Sequence, residues 1–87
     1  MDDSISQKIE EKIQEIITNK KQLKQINELF SDFDDSKSFI FGIVVGRLYN
    51  SFFYQTKRIQ NREPTKTEFK EFLKLLETRK TELENLW

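Results

Sequence analysis

FIFGIVVGRLYNSFFY, residues 39–54, is the stretch on which the reading of this chain turns. Eleven of its sixteen residues are apolar or aromatic, within a chain that is 34% charged. A membrane span needs about twenty predominantly apolar residues. This run is shorter, contains Arg47, Asn50 and Ser51, and is flanked by DDSKS and QTKRIQNR, which prefer water. A central arginine alone costs about 2.5–3.5 kcal/mol on insertion into a bilayer. The stretch is therefore read as part of a folded domain and not as a span.

Turned at about 100° per residue, the segment forms a helix with two apolar walls. Phe41, Val45, Leu48, Phe52 and Ile59 line one, and Gly42, Gly46, Tyr49 and Phe53 line the other. Phe39 and Ile43 widen the arc, and Arg47, Ser51, Arg58 and Arg62 hold the narrow remainder. A helix apolar over most of its circumference must be covered on more than one side. Neighbouring helices of the same chain supply part of that cover. The rest, assigned to Phe39, Ile40, Ile43 and Val44 together with the Gly42-x-x-x-Gly46 pair, is expected to stay open in the monomer and to meet a protein partner. Each glycine costs about 1 kcal/mol of helix propensity relative to alanine, so two of them imply a packing benefit somewhere.

Working outward, two further segments carry helical periodicity. Ile5, Ile9, Ile13, Ile16, Leu23, Ile26 and Phe30 recur at spacings of three, four or seven, which predicts a helix over about 4–30. Ser4 and Gln7 have the spacing of a capping box. The stripe thins at TNKK, residues 18–21, where the helix either continues or breaks; one continuous helix is the preferred reading. Asp and Ser residues in 31–38 suit the start of a second helix, over about 36–61. Pro64 disfavours helix at Glu63, and Thr65 with Glu68 forms a second box. From there Phe69, Phe72, Leu73, Leu76, Leu83 and Leu86 keep one face, predicting a helix over about 65–86. The expectation is all-α: a small antiparallel three-helix bundle, the first helix breaking, if anywhere, near 18–21, in a single domain spanning 1–87.

Composition narrows the function. A chain of 87 residues buries only roughly 60–65% of its unfolded surface, so most of its apolar residues are needed for the core. It has no histidine and no cysteine, which removes the commonest general base, the commonest metal ligand and structural zinc. Asp32, Asp34 and Asp35 fail as a calcium loop, because Lys37 and Ile43 stand where glycine and a bidentate glutamate are needed. A helix-turn-helix is also unsupported, since FKEFLKLLETRKTEL continues without a second turn. No catalytic residue, cofactor, metal or small-molecule substrate is expected. The N-terminal MDDSISQKIEEK lacks the basic and apolar regions of a signal peptide, so the expected location is cytoplasmic.

Charge leaves one competing reading. Lys plus Arg and Asp plus Glu number fifteen each, but residues 1–35 hold five basic and nine acidic side chains, and residues 36–87 hold ten and six. Arg47, Arg58, Arg62, Lys66 and Lys70 form a candidate phosphate-binding face on the basic part. The expected function is a non-enzymatic interaction or assembly module, an accessory subunit or a homodimer, working through the central helix. The alternative is nucleic-acid-backbone binding through the basic face. Salt separates the two, because phosphate binding weakens steeply with salt and apolar association hardly changes.

Overall fold

Asp2 turns the chain into its first helix, its carboxylate accepting the Ser4 backbone N–H at 2.8 Å. The structure is a computed structural model that describes residues 1–85. Helix α1 spans Asp3–Thr18, α2 Lys21–Leu29, α3 Ser36–Gln60 and α4 Lys66–Glu84, with no strand among the described residues. The Ser4–Gln7 capping box does not form. Ser4 lies inside α1 with its hydroxyl on Asp2, and Gln7 donates to Glu11 at 3.5 Å. Asp2, two residues earlier, is the stronger cap, since its full negative charge meets the positive helix end.

The single helix expected over 4–30 is two. Asn19 leaves helical geometry at φ −121°, ψ 77°, its N–H closing α1 on the Glu15 carbonyl. Thr18 is β-branched and Asn19 competes for backbone hydrogen bonds, so both are weak helix formers. The described residues thus form four helices where three were expected. Gln60 donates to Asp2 at 3.1 Å, tying the start of α1 to the end of α3. Further on, Leu23 and Ile26 of α2 share a groove with Ile43 and Arg47 of α3. Together α1 and α2 make one bent run, antiparallel to α3, along most of its length.

The later boundaries follow the expected caps. Asp35 accepts the Ser38 N–H at 3.0 Å and the Ser38 hydroxyl at 2.7 Å, which opens α3. Asn61, left-handed at φ 58°, closes it; asparagine tolerates that conformation better than most residues. Thr65 and Glu68 form the expected capping box at 3.1 and 2.9 Å. Leu86, assigned to the face of the last helix, lies outside the described residues.

The core joins α1, α2, α3 and α4. Ile5, Ile9, Ile13 and Ile16 of α1 and Leu23 of α2 are buried with Ile40, Val44, Leu48 and Phe52 of α3 and Phe72 and Leu83 of α4. Each such side chain contributes about 1.5–3 kcal/mol of burial. The α3 ridge steps by four, and Thr56 extends it, satisfying its hydroxyl on the Phe52 carbonyl at 2.8 Å. This corrects the placement of two residues. Ile40 and Val44, expected to stay uncovered, are at 0% exposure. The bent α1–α2 run packs along α3, and Val44 joins the core with the α1 isoleucines and Leu23.

Candidate functional site

The open face of α3 is its other wall. Phe39, Gly42, Gly46, Tyr49 and Phe53 are spaced three, four, three and four apart, which gathers them within about 80° on a helix of 3.6 residues per turn. Their centre lies about 180° from Val44, so α1 packs on one side of α3 and this stripe faces away from it. Tyr49 is 46% exposed. Both glycines are exposed, and a Cβ built on either would meet nothing within 4 Å. No helix crossing among the described residues uses them. Phe39 and Ile43 are half-buried, Phe39 against Phe30 and Phe33 and Ile43 beside α2.

Toward the C-terminal half of α3 the stripe opens into a cleft of ≈ 480 Å³ shared with α4. Its floor is Phe52, stacked on Phe72 with centroids 4.6 Å apart and planes 7° from parallel. Tyr49 stands above this pair, 6.1 Å from Phe69 and 6.2 Å from Phe53, both edge-on. Such edge-to-face geometry is the preferred way for aromatic rings to meet. Phe69 and Leu73 of α4 form the second side and are 41% and 47% exposed. Lys66 and Lys70 stand on the rim. Pro64 and Thr65 close one end, the Thr65 hydroxyl being engaged by the Glu68 N–H.

The volume lies in the range of about 300–1,000 Å³ typical of ligand sites. The chemistry is sparse, however. No nucleophile–base pair lines the cleft, and its polar complement is the Tyr49 phenol, a capping threonine and two lysines. Among the described residues no group of three or more His, Cys, Asp or Glu side chains is arranged to hold a metal ion. What this surface can do is bury apolar area with cations at its edge.

A second exposed apolar feature lies at the other end of α3. Phe30, Phe33 and Phe39 cluster with centroids 4.9 to 5.2 Å apart. Phe33 is 47% exposed and neighbouring Leu29 74%. Asp32, Asp34 and Asp35 surround this knob and are exposed; of the three, Asp35 serves as the α3 cap.

The candidate phosphate-binding residues are dispersed. Arg62 forks onto Glu68 at 2.7 and 3.2 Å. That pairing, with the Thr65 N–H, pulls the Glu68 carboxyl down to about 2. Arg58 donates to Gln55 at 3.4 Å. Arg47 lies in the groove with Glu15 and Asn19, on the α2 side of α3. Lys66 and Lys70 line the aromatic cleft instead. The two lysines and Arg47 thus occupy different sides of α3.

Reading the sequence placed Gly42 and Gly46 on the open surface but put Tyr49 and Phe53 under a neighbouring helix. It also missed Phe69, Leu73 and Phe33. The available signal was on α4, where Phe69 and Leu73 lie to one side of Phe72 and Leu76 and widen the stripe to about 100°. No described helix is long and apolar enough to cross a membrane. No family model matches the chain, and neither a curated protein nor a solved structure matches it.

Proposed function

We propose that this chain is a non-enzymatic helical assembly module, acting as an accessory or self-associating subunit through the uncovered wall of α3 and the adjoining cleft. One observation carries the reading: Gly42 and Gly46 are exposed with nothing within 4 Å of a Cβ built on either, and beside them Tyr49, edge-on to Phe69 of α4, stays 46% exposed. Contiguous exposed apolar surface of this kind usually marks a protein contact. The glycines add to this, because helix propensity is given up where no internal packing recovers it.

Backbone-phosphate binding has less support. Arg62 is committed to Glu68, and Arg47 lies apart from Lys66 and Lys70.

The test is the mass of native assemblies containing the chain, alone and in native extract, for wild type and Tyr49→Lys. The wild type should be found in a stoichiometric assembly, and Tyr49→Lys should leave it with unchanged helix content. A wild-type chain that runs by itself in both settings contradicts the proposal.

A further inference from the structure

We infer that the occupant of the cleft is a second copy of this chain, related by a two-fold axis and docked with the two α3 helices antiparallel. This rests on the assembly reading above and goes further by naming the partner and its register.

The argument is complementarity between the two ends of α3. At one end Phe33, 47% exposed, sits on Phe39 among Asp32, Asp34 and Asp35: an apolar knob with an acidic rim. At the other, Tyr49, Phe53 and Phe69 line an apolar cleft with Lys66 and Lys70 on its rim. The knob and the cleft are both apolar at the centre and carry opposite charges at the rim. The two lie apart along a molecule 41 Å long, so a chain does not fill its own cleft. Opposite potentials on facing patches fix register and steer encounter.

The spacing of the stripe sets the geometry. Phe39, Gly42, Gly46 and Tyr49 read large, small, small, large at intervals of three, four and three. That order is the same in both directions. Two copies running oppositely, with the axis at the level of Val44, therefore set Phe39 against the partner's Tyr49 and Gly42 against the partner's Gly46. The backbones pass closely where no side chain intervenes. In the same register the acidic approach to α3 falls beside the partner's Phe53, in the cleft that Lys66 and Lys70 border. Under two-fold symmetry each contact is made twice, and the assembly closes at two copies.

Arg58 lies away from the stripe, so a nitroxide on a cysteine there reports the register without entering the contact. The chain has no other cysteine. At 1.5 Å rise per residue, antiparallel α3 helices centred at Val44 hold two such labels about 40 Å or more apart, whereas parallel helices hold them within about 30 Å. Pulsed dipolar spectroscopy on Arg58→Cys should give the long distance. In parallel, Lys66→Glu/Lys70→Glu should weaken the dimer about tenfold, and adding Asp32→Lys/Asp34→Lys should restore it. A dimer with the short distance, or one indifferent to the charge changes, overturns the register and leaves the assembly proposal standing. A chain that is monomeric alone but held in a complex with a different protein overturns the second-copy inference only. A chain monomeric both alone and in native extract overturns both.

Discussion

Phe52 and Phe72 lie face to face, 4.6 Å between centroids, and this stack pins α4 to α3 beneath the exposed cleft. Both rings are buried, and Tyr49 and Phe69 take their positions from Phe72 at 6.2 and 6.4 Å. The exposed aromatic surface is thus held by a buried one. Phe72→Ala should cost about 3–5 kcal/mol in denaturant unfolding, the range for a buried phenylalanine. A loss under about 1 kcal/mol would show that α4 is held by something else.

Acid should weaken the link between the α3–α4 connection and α4. The Glu68 carboxyl is lowered from 4.5 to about 2, first by the Arg62 hydrogen bonds and then by the Thr65 N–H. Because the folded value lies below the unfolded one, this contribution is fully present above about pH 4.5. It is lost as the pH falls through the window toward about 2. Glu68→Gln keeps a residue able to complete the capping box but removes the charge pairing with Arg62. Thermal melts from pH 5 to 2 should therefore be flatter for Glu68→Gln than for wild type; equal slopes would remove Glu68 from the account.

The glycines separate fold from association. Nothing lies within 4 Å of a Cβ at Gly46, and its backbone is helical, so Gly46→Ala should stabilise the dilute monomer by up to about 1 kcal/mol. Gly46→Leu should also fold but should lose association, because a branched side chain holds a second surface away. Circular dichroism with sedimentation velocity reads both effects. Gly46→Leu that unfolds, or that associates as wild type does, would contradict the assignment.

Ile40 gives the opposite pattern. It is fully enclosed, so Ile40→Glu should abolish cooperative unfolding by placing an unpaired carboxylate in the core. A folded Ile40→Glu would return this residue to the surface.

The basic residues carry a simple negative expectation. With Arg62 engaged by Glu68 and Arg47 away from Lys66 and Lys70, wild type should give no mobility shift with DNA or RNA at about 50 mM salt, where such contacts are strongest. A shift removed by Arg58→Glu would favour the phosphate reading.

How far these features were legible in the sequence depends on what periodicity can report. The caps at Asp35 and Thr65 placed α3 and α4 closely, because capping is local chemistry between residues three apart. The break at Asn19 was hidden for a specific reason. Ile16 and Leu23 are seven residues apart, about two turns, so the apolar stripe stays in phase across the break. The pattern marked both walls of α3 as apolar, but not which one another helix would cover. That was decided by the reach of α1 and α2 together, which took Val44 into the core and left Gly42, Gly46 and Tyr49 open. Phe33 lies among the Asp and Ser residues of 31–38, and its contact with Phe30 and Phe39 is what shows the knob.

Light scattering on purified wild type and Tyr49→Lys, side by side at micromolar concentration, tests the central claim most directly. The chain mass is 10.5 kDa. If the open wall of α3 is an association surface filled by a second copy, wild type should scatter as twice that mass and Tyr49→Lys as the single chain, with identical helix content. Two single-chain masses, or two equal larger ones, would contradict it.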